Sequence, residues 1–155
     1  DEGLVLTDVD PTSWRSAISW VPQSPTLVPG TILDNMGDLP QRDLDEAARA
    51  TGFDAVLATT PDGWNSTIGS GGVGLSVGQR QRLALTRALA ARSQVVVLDE
   101  PTAHLDAVSE ETVVRAIHAM REEGRTVIVI AHRNAIIEVA DTIIDVAHAD
   151  EEALA

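Results

Sequence analysis

The sequence predicts an α/β fold built on a parallel sheet, and three observations indicate it. Strand-like and helical patterns alternate along the second half of the chain, as in proteins whose parallel strands are joined by helices. Residues 95–98 and 126–131 are continuous apolar runs rich in β-branched side chains, which is typical of strands covered on both faces. The chain has 155 residues, of which 44% are hydrophobic and 23% charged, as expected of one folded, soluble domain.

The N-terminal part of the chain predicts two short strands and a loop. Residues 3–6 and 17–21 are apolar and are interpreted as strands, with Asp10 and Pro11 marking a turn between them. Residues 22–30 contain three prolines and a glycine, so we expect no regular structure there.

A helix and a long loop are predicted next. Residues 43–58 have helical periodicity. Their apolar face is predicted to carry Leu44, Ala47, Ala48 and Phe53. Residues 61–74 are rich in Gly, Ser and Asp, and a loop of this length inside a compact domain is usually functional.

The second half of the chain alternates between the two element types. Helices are predicted at residues 77–91, 109–123 and 135–140, the second of them ended by Gly124. Strands are predicted at residues 95–98, 126–131 and 142–146.

The composition excludes several classes of function. Eleven Lys+Arg against 24 Asp+Glu give a net charge of −13, which argues against nucleic-acid binding and against docking on anionic lipid. The chain has no cysteine, so disulfides and Cys-ligated zinc are excluded. No apolar run approaches the roughly 20 residues that span a bilayer, and no signal peptide is visible. The first residue is Asp, so we expect a piece of a longer chain.

The most informative segment is Leu-Ser-Val-Gly-Gln at residues 75–79. Ser76 and Gln79 have the spacing of a capping box that opens a helix, and four glycines shortly before them allow close backbone approach to a ligand. The N-terminus of a helix favours an anion such as phosphate. An ordinary capped surface helix is the alternative interpretation.

Two adjacent carboxylates, Asp99 and Glu100, follow the buried run 95–98. Ligands of open α/β sheets lie beyond the carboxyl ends of the strands. One carboxylate there could hold Mg²⁺ through its waters, and the other could accept a proton from an attacking water. Alternatively, both acids cap the following turn. His132 and Gln23 follow neighbouring predicted strands and are expected at the same rim.

Taken together, these motifs resemble the ATP-binding domain of ABC transporters across essentially the whole chain. Residues 75–79 resemble the signature motif, and residues 97–101 resemble Walker B with its glutamate. Residues 20–23 resemble the Q-loop, residues 103–106 the D-loop and residues 130–133 the loop of the switch histidine. It implies a P-loop NTPase-like parallel sheet, here incomplete because the Walker A strand is absent, with a helical subdomain that carries the signature. The implied parts are residues 1–24 (core strands and Q-loop), 25–92 (helical subdomain), 93–148 (core) and 149–155 (tail).

The resemblance also implies a role for each site residue. Asp99 would organise Mg²⁺, Glu100 would polarise the hydrolytic water and His132 would contact the γ-phosphate. Gln23 would sense Mg²⁺ and the water, and would link the site to the membrane domain. The residues that would act across a dimer are Ser76, Gly78 and Gln79, which would hold the ATP of the opposite subunit, and Asp106, which would cross the interface.

The implied cofactors and partners follow from the same family. They are ATP and Mg²⁺, a second nucleotide-binding domain in a homo- or heterodimer, and a transmembrane domain. Nucleic acid is not expected as a partner. The implied location is the cytoplasmic face of the cell membrane, with this segment soluble and not inserted.

Departures from the family pattern carry their own expectations. The pattern G-x-x-x-x-G-K-[ST] is absent, as is lysine altogether, so we expect the phosphate-binding loop upstream of residue 1. The 155 residues alone are then expected to bind ATP weakly, to hydrolyse none, and to self-associate through exposed apolar surface. Val77 stands where the signature has glycine and Ser70 where exporters commonly have Glu; we expect helical backbone at Val77 and retained function.

Within the family, the sequence is most similar to exporters. Only 52 positions separate Gln23 from Leu75, which leaves no room for the long coiled coil of chromosome-type ATPases. Residues 31–35 and 61–64 resemble exporter patterns, and residues 101–106 resemble thiol exporters of cytochrome bd assembly. The expected function is the C-terminal part of an ATP-hydrolysing exporter domain. The alternative is a non-catalytic partner module that supplies only its signature face to a composite ATP site.

Overall fold

The computed structural model describes residues 10–102 and 107–146. The strand predicted at residues 3–6, the segment 103–106 with Asp106, and the tail 149–155 lie outside the described residues. In the described part of the chain, no helix combines the length and the apolar character needed to cross a membrane.

A three-stranded parallel sheet forms the centre of the fold. Its strands are β1 (Ile18–Val21), β4 (Val95–Asp99) and β5 (Thr126–Ile130), in the order β1-β4-β5. The strands predicted at residues 17–21, 95–98 and 126–131 are thereby confirmed to within a residue at each end. Because the strands are parallel, their carboxyl ends meet at one edge, where Leu98 is in register with Val21 and Asp99 with Ile130.

The two faces of this sheet differ in burial. On one face Val21, Val96 and Leu98 are at most 1% exposed. Helices α4 (Val77–Ala90) and α5 (Ala107–Glu122) cover this face, and they contact each other and the sheet. The opposite face exposes large apolar side chains. These are Trp20 (61%), Ile128 (50%) and Ile130 (55%). The prediction of strands covered on both faces is therefore wrong for the described residues, because helices pack on only one side.

Helix α1 (Pro11–Ala17) lies where the sequence predicted a turn. Asp10 is its N-cap, and its side chain accepts a hydrogen bond from the Ser13 backbone N–H at 2.8 Å. Proline at the first helical position has the φ that a helix needs and lacks a donor that would be unpaired anyway. An Asp-Pro pair suits a helix start as well as a turn, which explains the error.

The single helix predicted at residues 43–58 is instead two helices, α2 (Gln41–Ala50) and α3 (Phe53–Leu57). Gly52 separates them with φ +66°, a left-handed conformation that ends α2 at little cost only for glycine. The predicted apolar face is nevertheless confirmed, since its four side chains are at most 3% exposed. They lie where α2 and α3 contact α4.

The loop predicted at residues 61–74 is largely confirmed but contains short regular pieces. Strand β3 (Thr67–Ile68) pairs antiparallel with β2 (Gly30–Thr31). Single 3₁₀ turns occupy Leu33–Asn35, Gly63–Asn65 and Ser70–Gly72. The loop therefore pairs with residues 30–31 and then leads into α4.

The end of the described chain departs from its prediction. The short helix α6 is Asn134–Ile137, and residues 142–146 form no strand. Ile143, Ile144 and Val146 are 64–85% exposed. A β-branched run becomes a strand only where a neighbouring edge supplies hydrogen-bond partners, and none of the described strands pairs with this segment. The predicted stop of α5 is confirmed, since Gly124 follows it with φ +76°.

Candidate functional site

Three loops meet at the carboxyl edge of the parallel sheet and bring four predicted residues to one rim. Gln23 follows β1 by two positions, Asp99 ends β4, Glu100 comes next, and His132 follows β5 by two positions. Parallel pairing of adjacent strands places these positions side by side.

Glu100 lies at the centre of this rim. Its backbone has φ +43°, which is uncommon for a residue other than glycine, and its N–H donates to the Ile130 carbonyl at 2.9 Å. This bond continues the β4–β5 pairing for one position beyond β4. The left-handed turn then directs the carboxylate toward Gln23, whose Nε2 donates to Oε2 at 2.9 Å.

The second carboxylate oxygen of Glu100 faces His132. The distance from His132 Nδ1 to Glu100 Oε1 is 3.6 Å, which is longer than a hydrogen bond. A small movement of either side chain would bring the two atoms to hydrogen-bond distance. The His132 side chain is 73% exposed and that of Glu100 34%. A carboxylate held by an amide on one oxygen and open to solvent beside an imidazole can take a proton from a bound water.

Asp99 differs from Glu100 in its surroundings. Its carboxylate is half-buried and has no hydrogen bond or ion pair to any described residue, so its oxygens are available to a ligand. Across residues 10–102 and 107–146, no group of three or more acidic or histidine side chains could form a metal cage. The donor set fits Mg²⁺, which keeps several waters and binds through one or two carboxylates together with substrate phosphates.

The predicted capping box is confirmed at the start of α4. The Gln79 N–H donates to Ser76 Oγ at 3.2 Å, and the Ser76 N–H donates to Gln79 Oε1 at 2.8 Å. Gly78 lies within the first turn, and Val77 is helical, as expected, and 54% exposed. The first turn of α4 contains no acidic residue. It therefore presents backbone N–H groups and positive dipole potential to solvent, which is the arrangement that binds anions.

The described part of the chain thus contains two separate groups of site residues. Gln23 donates to Glu100, which faces His132, whereas the side chains of Ser76 and Gln79 bond with each other's backbone and not with the described rim residues. Asp106 lies outside the described residues.

Two arginines at the site were missed by the sequence interpretation. Arg80 Nη1 donates to the Leu75 carbonyl at 2.8 Å, and Arg133 Nη1 pairs with Glu110 Oε2 at 2.5 Å, which ties the segment after His132 to α5. Arginine at either position also suits a solvated surface, so no local signal distinguishes these contacts.

Comparison with known proteins agrees with the motifs. The family described as ABC transporter matches residues 2–103. The ABC-type transporter atr1 of Mycosarcoma maydis is 38% identical over 152 residues, covering 92% of this chain and 11% of that protein. The ABC multidrug transporter MDR5 of Trichophyton rubrum is 40% identical over 147 residues, covering 91% and 11%.

A solved structure of similar fold is that of a bacterial Atm1-family ABC exporter with ATP bound. It superposes with a TM-score of 0.77 at 32% identity, covering 88% of this chain and 24% of that chain. The chain spans about a ninth of the length of these curated relatives. Because the family match covers more than half of the residues and the fold is that of an exporter's nucleotide-binding domain, this chain belongs to the ABC transporter family.

Proposed function

We propose that this chain is the C-terminal part of the ATP-binding, ATP-hydrolysing domain of an ABC exporter that powers transport across a membrane. The observation that carries the proposal is the position of Glu100, held by Gln23 on one carboxylate oxygen and facing His132 on the other. An acid of this kind at a strand end, open to solvent, suits the activation of water.

Each rim residue then has a task in hydrolysis. Glu100 accepts the proton of the attacking water, while the Gln23 amide orients that water and the carboxylate. His132, with its exposed ring, donates a hydrogen bond to the terminal phosphate. Asp99 and Gln23 would hold Mg²⁺ through water, and the ion would neutralise phosphate charge.

The start of α4 serves a different nucleotide. Ser76 Oγ, the Gly78 N–H and Gln79 bind the γ-phosphate of ATP held by a second nucleotide-binding domain, in a homo- or heterodimer, and Asp106 crosses the same interface. The positive end of the α4 dipole favours that anion. Closure of two such domains on ATP, and their opening after hydrolysis, drive transport.

The remaining partner is the transmembrane domain, reached through the loop after Gln23, at the cytoplasmic face of the cell membrane. The acidic composition, with net charge −13, supports neither a nucleic-acid partner nor direct membrane insertion. Since residues 1–155 contain no phosphate-loop pattern and no lysine, we propose that they bind Mg·ATP weakly and hydrolyse none by themselves.

The test is Glu100→Gln in the full-length protein. The amide keeps an acceptor for Gln23 but cannot take a proton, so we expect kcat to fall at least about a hundredfold while an ATP-bound dimer accumulates. Glu46→Gln is the matched control, because Glu46 is 62% exposed and pairs with Arg92 at the surface; it should leave kcat unchanged. Unchanged hydrolysis in Glu100→Gln would overturn the catalytic assignment in favour of a passive partner module.

A further inference from the structure

The peptide unit between Leu75 and Ser76 is held at both of its ends. Its carbonyl oxygen accepts a hydrogen bond from Arg80 Nη1 at 2.8 Å. Its N–H, which belongs to Ser76, donates to Gln79 Oε1 at 2.8 Å. Because both hydrogen-bonding groups of one rigid plane are engaged, the backbone orientation at Ser76 is determined, and with it the region that Ser76 Oγ can reach.

Arg80 reaches this carbonyl by lying against Gly72. A Cβ placed on Gly72 would lie 2.5 Å from Arg80 Cδ and 3.0 Å from Leu27 Cδ1. Gly72 is buried, has φ +80°, and its carbonyl accepts from the Leu75 N–H at 3.0 Å. The absence of a side chain at this position is therefore what allows the arginine stem to cross the loop before α4.

The location of Arg80 is unfavourable for the helix itself. It lies in the first turns of α4, where the dipole disfavours a cation, and it forms no ion pair with any described carboxylate. No acidic residue in the first turn compensates it. A half-buried, uncompensated cation beside a helix N-terminus destabilises the helix but strengthens the local attraction for an anion.

We propose that Arg80 is a positioning residue, which orients Ser76 for the phosphate of the opposing nucleotide through the Leu75–Ser76 peptide. This inference rests on the proposed function. Arg80 itself does not contact the phosphate. Its planar guanidinium suits the task because it can donate to a carbonyl while its stem packs along Gly72.

The test uses Arg80→Met and Arg80→Lys in the full-length protein. Methionine keeps an unbranched side chain against Gly72 and removes every donor. We expect kcat to fall about tenfold, because one hydrogen bond from a charged donor is lost. In the Glu100→Gln background, ATP-driven dimerisation should weaken by a similar factor. ATP binding to the open form should be unchanged, and Arg80→Lys should recover most of kcat because it still donates.

Arg87→Met is the matched control, since Arg87 lies on the same helix and donates to the Asn35 carbonyl at 3.4 Å, away from Ser76. We expect its kcat within twofold of the unaltered protein. Gly72→Ala keeps the charge of Arg80 but displaces its side chain from the Leu75 carbonyl, and should reproduce the loss of kcat with ATP binding to the open form unchanged. It decides the question if Arg80→Met does not fold.

Two results would overturn the inference. One is an unchanged kcat in Arg80→Met and Gly72→Ala. The other is a joint fall in kcat, ATP binding and thermal midpoint without recovery in Arg80→Lys, which indicates a merely structural role. If Glu100→Gln abolishes hydrolysis and Arg80→Met does not reduce it, only the inference about Arg80 fails. If Glu100→Gln also leaves hydrolysis intact, the proposed function fails.

Discussion

The anchoring of helix α4 at its C-terminal end gives a quantitative prediction. The Arg125 side chain, 5% exposed, donates from Nη1 to the Ala88 carbonyl at 3.2 Å and from Nη2 to the Leu89 carbonyl at 2.8 Å. Both carbonyls belong to the last turn of α4, the helix whose first turn presents Ser76. We therefore consider the substitution Arg125→Met, which keeps an unbranched apolar side chain and removes the donors.

The magnitude follows from the contacts that are lost. A hydrogen bond from a charged donor contributes about 1.5–3 kcal/mol; the bond to Leu89 is short and is given about 2 kcal/mol, and the longer bond to Ala88 about half of that. The favourable interaction of a cation with the helix C-terminus adds about 0.5 kcal/mol. Arg125 also pairs with Glu123, but that carboxylate is largely solvated and contributes little. We expect the free energy of unfolding to fall by about 3.5 kcal/mol.

Urea unfolding of residues 1–155 at low protein concentration measures this change. An equal slope of the transition in the variant and in the unaltered chain shows that the denatured state is unaltered. Arg92→Met is the control: Arg92 is 53% exposed and pairs with Asp43 at 3.1 Å and Glu46 at 3.4 Å, which contributes under about 1 kcal/mol. Equal losses in the two variants would refute the reasoning that buried carbonyl capping, and not surface charge, stabilises α4.

Two further predictions concern the rim and the open face of the sheet. Gln23→Leu removes the donor to Glu100 Oε2 and should lower kcat of the full-length protein about tenfold with little change in stability, because the bond is exposed; a kcat within twofold of the unaltered protein would contradict the assigned role. Residues 1–155 should self-associate with rising concentration through the face that exposes Trp20, Ile128 and Ile130, and Ile128→Thr with Ile130→Thr should reduce the mass measured by light scattering. A clean monomer of the unaltered chain at high concentration would count against that explanation.

Local patterns predicted much of the fold. The apolar runs at β4 and β5 and the Ser-x-x-Gln box at Ser76 are signals carried by neighbouring residues, and the structure places each where it was expected. The errors occurred where one local pattern suits two structures. Asp10 and Pro11 suit a turn or a helix start, and residues 142–146 suit a strand that the described chain does not pair.

The sequence by itself determined the family, the three strands of the parallel sheet and the meeting of Gln23, Glu100 and His132 at one edge. Parallel strands bring their carboxyl ends together whatever their side chains are. Only the tertiary structure decided the left-handed turn at Glu100, the passage of Arg80 across Gly72, and the open face of the sheet. Each of these depends on atoms distant in the chain or on how elements stack. Close contacts and burial are properties of packing, which a pattern of neighbouring residues does not predict.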